Sequence, residues 1–216
     1  METFRDVETA AYCPRKLYYR RRDPDRPDPP SRVAAVRELA FRYERLLEDD
    51  DALAAAPTAL TPTQYRSRLG RARATFDDWD ALVDPPDRDV HLAGQDCRGV
   101  AHKVLEDPPR PSLVFTGDPP TNGVWEPQTV RLVAAAKALA WERERPVETA
   151  IAEYPAHGVV REVPLTTRRK AAYRAALRTA RAIDGPPSRL DNDAKCSPCD
   201  YREECGVRTR SLRSML

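Results

Sequence analysis

The stretch Cys97-Arg-Gly-Val-Ala-His-Lys-Val-Leu105, followed by Ser112-Leu-Val-Phe115, decides the fold class. Both segments are short, apolar or alternating, and bounded by Gly, Pro and Asp, which is typical of β-strands. Downstream, residues 126–143 place apolar side chains at helical spacing. Two further strands, 149–154 and 159–163, and a helix over 166–183 follow in order. Because strands alternate with helices, the sequence predicts an α/β domain.

The segment before this core is predicted to be helical. We expect one helix over residues 9–22 and another over residues 31–47, separated by a break rich in Pro and Asp. We therefore expect a single domain, residues 1–216, with three parts. These are a helical N-terminal part (1–88), an α/β core (89–184) and a C-terminal cysteine module (185–216).

Composition narrows the class of protein. The chain has 216 residues and a net charge of +2, and no apolar run approaches the roughly 18 residues of a membrane span. We therefore expect a cytoplasmic protein without a membrane partner. Five cysteines in a reducing compartment favour metal binding over disulfides. Cys97 lies in a predicted strand and is expected to be buried, and the three tryptophans are expected to pack inside.

Four cysteines are the strongest chemical signal. Cys196-Ser-Pro-Cys199 precedes Cys205, and Cys13 lies near the other end of the chain. Thiolates are soft ligands that select zinc or iron–sulfur centres. Zinc ribbons use two C-x2-C pairs, whereas this chain has one such pair. We therefore expect a four-iron cluster, with a structural zinc site as the open alternative.

A run of basic residues follows Cys13. Its members are Arg15, Lys16, Arg20, Arg21 and Arg22, and they alternate with tyrosines. Guanidinium groups bind phosphates and tyrosine rings stack on bases, so the run is a candidate surface for single-stranded DNA. A solvated helix face with inward tyrosines is the alternative. A second basic stripe within residues 168–181 is predicted to be the wet side of a helix.

Tyr12-Cys-Pro-Arg-Lys-Leu-Tyr-Tyr19, together with the C-terminal cysteine motif, resembles the CRISPR-associated RecB-like exonucleases (Cas-four type) of the PD-(D/E)XK nuclease superfamily. The resemblance implies a mixed central sheet flanked by helices, with a C-terminal iron–sulfur module. It also implies a [4Fe–4S] cluster on Cys13, Cys196, Cys199 and Cys205. Single-stranded DNA ends would be the substrate, and proteins of CRISPR adaptation or repair would be partners.

The catalytic motifs depart from this family. The Gly-x-x-Asp strand is Gly99-Val-Ala-His102 here, and Val114 and Thr116 stand where Glu-x-Lys is expected. Arg131 and Ala135 replace the glutamine and tyrosine of the next helix. Two carboxylates are needed to hold Mg2+ or Mn2+, so we expect weak or absent nuclease activity.

Two alternatives remain open. One is an active, Mg2+- or Mn2+-dependent single-stranded DNA exonuclease that uses other carboxylates. The candidates for that role are Glu106, Asp107, Asp118 and Glu126. The other is a zinc-stabilised interaction module without a role on DNA.

Overall fold

The computed structural model describes residues 1–25, 28 and 30–206. Within them, six strands form one mixed sheet: β1 (Glu2–Thr3), β2 (Asp87–Ala93), β3 (Cys97–Glu106), β4 (Pro109–Val114), β5 (Thr149–Tyr154) and β6 (Val159–Pro164). The order across the sheet is β1-β3-β4-β5-β6, and β2 pairs with the other edge of β3. The β1–β3 and β4–β5 pairs are parallel, and the remaining pairs are antiparallel.

Helices cover both faces of this sheet. They are α1 (Phe4–Tyr12), α2 (Pro14–Arg20), α3 (Ser31–Glu38), α4 (Tyr43–Glu48), α5 (Asp50–Ala54), α6 (Pro62–Thr75), α7 (Trp79–Val83), α8 (Glu126–Arg143), α9 (Thr167–Arg181) and α10 (Asp193–Cys196). On one face, α1, α8 and α9 bury an alanine-rich core against the strands. On the other face, α4, α6 and α7 close a second core over Leu105, Val114 and Ile151. The predicted α/β class is confirmed.

The predicted helix over residues 31–47 is wrong at its centre. The chain forms α3, then a 3-10 helix (Leu39–Phe41), then α4. The Ala40 carbonyl accepts a hydrogen bond from Lys103 Nζ at 2.7 Å. In a continuous α-helix that carbonyl would accept from the amide four residues on; here the chain leaves the helix at Arg42, whose φ is −135°, and the carbonyl contacts Lys103 instead.

The expected tryptophan packing holds for one residue of three. Trp79 is buried, whereas Trp125 and Trp141 are 51% and 59% exposed. Trp125 precedes the first turn of α8 and lies in the loop. Trp141 lies about 200° around the helix from the buried Leu139, which turns it to solvent. Cys97 is buried, as predicted, and accepts a hydrogen bond from Tyr173 Oη at 3.3 Å.

The predicted division at residue 88 stays a prediction. Although α1 lies in the N-terminal part, it packs on α8 and α9 of the α/β core. Residues 207–216 of the predicted C-terminal module lie outside the described residues. In the part of the chain that the structure describes, no helix is long and apolar enough to cross a membrane.

Candidate metal centre and nuclease site

Four cysteines from the two ends of the chain line one pocket: Cys13, Cys196, Cys199 and Cys205. Cys13 lies at the junction of α1 and α2, where its Sγ accepts a hydrogen bond from an amide of the first turn of α2 at 3.4 Å. Cys196 ends α10, and a turn brings the Cys199 amide to the Cys196 carbonyl at 3.2 Å. A further turn leads the chain to Cys205. The three C-terminal thiols thus lie in the same pocket as the thiol of Cys13.

Positive charge surrounds these thiols. The pocket is also lined by Arg15, Lys16, Arg189, Lys195 and Arg202. Burial raises the pKa of Tyr12, and the neighbouring Cys199, Cys13 and Cys196 raise it further. Burial lowers the pKa of Arg15, but Cys205 and Tyr19 outweigh that effect and leave the pKa raised. Ionised thiols in this pocket therefore have cationic neighbours.

Reciprocal contacts hold the module with the thiols against the N-terminal helices. Tyr12 Oη donates to the Lys195 carbonyl at 3.3 Å, and Lys195 Nζ donates to the Tyr12 carbonyl at 3.1 Å. The Tyr19 and Tyr201 rings stack with their centroids 6.2 Å apart. Tyr19 Oη also donates to the Glu204 carbonyl at 3.1 Å. The two ends of the described chain thus form one structural unit.

The predicted DNA-binding residues make contacts within this unit. Arg15 donates to the Pro187 carbonyl at 2.8 Å, and Lys16 pairs with Asp200 at 3.1 Å. Arg20 Nη1 donates to Thr9 Oγ1 at 2.8 Å, and Arg21 Nη1 donates to the Ala180 carbonyl of α9 at 2.8 Å. The Arg22 guanidinium lies 3.9 Å from the Tyr18 ring centroid. Their predicted contact with DNA stays a prediction.

The four thiols share the lining of one pocket. Among the described residues, no group of three or more Cys, His, Asp or Glu side chains is placed so that it could hold a metal ion. Zinc and an iron–sulfur cluster both need thiolate ligands, so the choice between them stays a prediction from the sequence.

The region of the expected catalytic residues contains a gap in the sheet. The β3–β4 ladder ends at the pair Lys103 and Ser112, and β1 meets the same edge of β3 only at Cys97 and Arg98. In the gap, Phe4 packs on Gly99, whose missing Cβ would lie 2.4 Å from a ring carbon. A methyl group at this position would require the Phe4 ring to move.

His102 bridges the gap. Its Nδ1 accepts a hydrogen bond from the Val114 amide at 2.9 Å, and the residue is 7% exposed. Burial lowers the pKa of His102 to about 3, and the charges of Arg131, Arg37 and Lys103 contribute. The imidazole is therefore neutral at pH 7, with its proton on Nε2. It is an acceptor for the backbone, in the place where the family resemblance expects a carboxylate.

A cation from α8 lies beside the imidazole. Arg131 pairs with Glu8 of α1 at 3.4 Å, and its guanidinium lies 5.7 Å from the Phe115 ring centroid. Burial raises the pKa of Glu8 and lowers that of Arg131, and each partner opposes the shift of the other. The Glu8 carboxylate is therefore already paired with the guanidinium of Arg131.

The other expected positions supply no ligands. Val114 and Ala135 are buried in apolar cores, and Thr116 is half-buried at the start of the following loop. Of the substitute carboxylates, Glu106 and Asp107 lie at the β3–β4 turn and pair with Arg143 and Arg145. Asp118 and Glu126 come after the other end of β4. The six residues of this strand span about 20 Å and separate them from the β3–β4 turn. The two sets cannot join in one site.

A buried ionic network on the opposite face of the sheet was not anticipated. Lys103 Nζ contacts Glu153 Oε2 at 2.8 Å, and Ser112 Oγ donates to Glu153 Oε1 at 2.5 Å. All three residues are fully buried. A lysine and a glutamate inside otherwise apolar strands were the available signal, because such charges are rarely buried without a partner.

No protein-family model matches this chain, and no curated protein matches it. The family resemblance therefore stays a prediction that rests on the residues themselves.

Proposed function

We propose that this chain is an iron–sulfur protein with a RecB-like PD-(D/E)XK nuclease fold, which binds DNA in CRISPR adaptation or repair and has weak or no nuclease activity of its own. The observation that carries the proposal is the pocket in which cysteines from both ends of the chain meet. Thiols are the ligands that zinc and iron–sulfur centres select, and four of them from two distant segments line this one pocket.

The surroundings of the thiols favour metal ligation. Ligation requires deprotonated thiols, so four ligands bring four negative charges into one pocket. The five cationic side chains of the lining offset that charge. The preference for a four-iron cluster over zinc rests on the spacing of the cysteines in the sequence. When bound, a [4Fe–4S] cluster would crosslink Cys13 to the C-terminal module.

The order of elements agrees with the RecB-like resemblance. The Gly-x-x-Asp segment lies on β3, the Glu-x-Lys position at the end of the adjacent β4, and the next helix, α8, packs beside both. The residues at these positions differ in chemistry from those of a nuclease. Mg2+ is a hard cation that prefers oxygen ligands, whereas His102 offers a neutral imidazole and Arg131 a competing positive charge.

Anaerobic purification tests the cluster. We expect a brown protein with a broad absorbance shoulder near about 400 nm and about four iron and four sulfide atoms per chain. Cys13→Ser should lose the colour, whereas Cys97→Ala should keep it, because Cys97 is buried beside Tyr173 and away from the pocket. A colourless protein with one zinc per chain would contradict the proposal and favour the zinc-stabilised module.

A nuclease assay tests the degenerate site. Labelled single-stranded DNA with Mg2+ or Mn2+ and the anaerobically prepared protein should remain intact over hours. Asp118→Asn and Glu126→Gln are the matched variants, since each removes a candidate carboxylate that follows β4 and keeps the shape of the side chain. Metal-dependent degradation that disappears in either variant would establish an active exonuclease and overturn this part of the proposal.

A further inference from the structure

A cleft of about 540 Å³ lies on the side of the sheet away from α8. Its walls are one face of α6, the loop that follows β4, and the turn that leads into β6. Gly158 lies at the floor of the cleft and packs against α6. Its φ is +59°, and an added Cβ would lie 3.2 Å from the Leu69 amide nitrogen. The volume falls within the range of about 300–1,000 Å³ that is typical of ligand sites.

The arginines of α6 divide into two sets. Arg66 pairs with Asp50, and Arg73 pairs with Glu44 at 3.2 Å. Arg68 and Arg71 line the cleft, and no acidic side chain of the described residues pairs with either. They lie three positions apart, so they project from the same face of the helix. A shallower hollow along α6 shares both residues and extends the positive surface beyond the cleft.

A third arginine is fixed in the opposite wall. Arg161 donates to the Thr121 carbonyl at 3.2 Å and to the Gly123 carbonyl. Its guanidinium also lies 5.9 Å from the Tyr154 ring centroid. Neutral carbonyls orient this guanidinium without cancelling its charge. A phosphate would therefore meet a cation whose conformation is already restricted.

An exposed aromatic ring is hydrogen-bonded to the loop that forms one wall of the cleft. Trp125 is 51% exposed, and its Nε1 donates to the carbonyl of Asp118, a residue of that wall, at 2.8 Å. This bond ties the indole to the loop between β4 and α8. Asp118 is the sole acid among the described residues of the lining, and its carboxylate contacts His157 Nε2 at 3.0 Å.

We propose that this cleft binds single-stranded DNA. The phosphates contact Arg68, Arg71 and Arg161, and one unpaired base stacks on Trp125. A positive groove beside an exposed ring is the arrangement that single strands require, because a duplex does not present its base faces for stacking. The inference rests on the proposed DNA-binding role and assigns that role to a surface separate from the cysteine pocket.

Fluorescence anisotropy of a labelled 20-nucleotide oligothymidylate with the full anaerobic chain tests the proposal. The double variant Arg68→Ala/Arg71→Ala should weaken binding about tenfold and reduce the salt dependence by about 1.4, since each phosphate contact on a single strand contributes about 0.7 to the slope. Arg174→Ala/Arg178→Ala is the matched control, because it removes the same charge from exposed positions of α9. It should leave affinity and slope unchanged.

The stacking step has its own test. Trp125→Ala should weaken binding about tenfold and abolish DNA-induced quenching of tryptophan fluorescence. Trp141→Ala removes another exposed tryptophan and should preserve both. Unchanged binding in the α6 double variant, equal loss in the α9 control, or a duplex that binds as tightly as the single strand would overturn the inference and leave the proposed function standing. No binding to any oligonucleotide would overturn both.

Discussion

Replacing His102 with asparagine should remove a specific acid sensitivity of the fold. The asparagine Oδ1 can take the place of Nδ1 as acceptor for the Val114 amide, but it does not titrate. The pKa of His102 is about 3 in the folded chain, against about 6.5 for an unperturbed histidine. The folded state thus resists protonation that the unfolded state accepts.

The sign of the effect follows from this difference. Below pH 6.5 the unfolded chain binds the extra proton, so stability is complete at neutral pH and falls as the pH drops toward 3. Between pH 7 and pH 4.5, the loss that His102 contributes is about 2.5 kcal/mol, and the full loss down to pH 3 and below is about 5 kcal/mol. Since His102 is 7% exposed, solvent screening reduces these values little.

Urea unfolding followed by circular dichroism at several pH values between 7 and 4.5 measures the effect. The wild-type chain should lose about 2.5 kcal/mol more over this range than His102→Asn. Acid effects on the cysteines and carboxylates are common to both proteins and cancel in the difference. His91→Asn is the control, because that side chain is exposed on β2 and should leave the wild-type pH dependence intact. Identical pH dependence in wild type and His102→Asn would refute the buried, neutral acceptor.

Three further changes probe packing. Lys103→Met leaves the buried Glu153 without its partner, so we expect the free energy of unfolding to fall by about 3–5 kcal/mol and Tm by about 6–20 °C. The double variant Lys103→Met/Glu153→Leu should recover most of this loss. If the effects of the two substitutions simply add, the pairing is contradicted. Gly99→Ala forces the Phe4 ring to move and should cost about 1–3 kcal/mol in urea unfolding. Gly158→Ala should lower the free energy of unfolding by about 1–2 kcal/mol because φ at this position is positive. Gly117→Ala is the control: it has open space around it and should change stability by less than about 0.5 kcal/mol. Equal effects at the two positions would refute the conformational requirement for glycine at position 158.

Local patterns predict several of the regular elements, but the helix expected over residues 9–22 is wrong: the chain forms α1 and α2, and Cys13 between them is extended. The apolar spacing of residues 126–143 predicted α8, and the strand at residues 149–154 was also anticipated with its bounds. These elements are set by their own residues. The break at Leu39–Phe41 could not be predicted in this way, because the Ala40 carbonyl accepts a hydrogen bond from Lys103, which is 63 residues away in the sequence.

The candidate sites show the same limit. Cysteine spacing suggested that distant thiols belong together, since the residue type itself indicates the chemistry. The run Arg15–Arg22 looked like a free positive surface, but its partners include carbonyls of Pro187 and Ala180, which no local pattern reveals. The α6 cleft is assembled from three separate segments. Arg68 and Arg71 differ from Arg66 and Arg73 in that no acidic side chain of the described residues pairs with them.

The reciprocal bonds between Tyr12 and Lys195 have a consequence for synthesis on the ribosome. At about 5–20 residues per second, the 183 positions between these two residues take about 10–40 s to translate. Throughout that interval, α2 and the thiol of Cys13 have been made, while the segment that covers them has not. The nascent chain therefore exposes the Cys13 thiol well before the three C-terminal cysteines that share its pocket have been made.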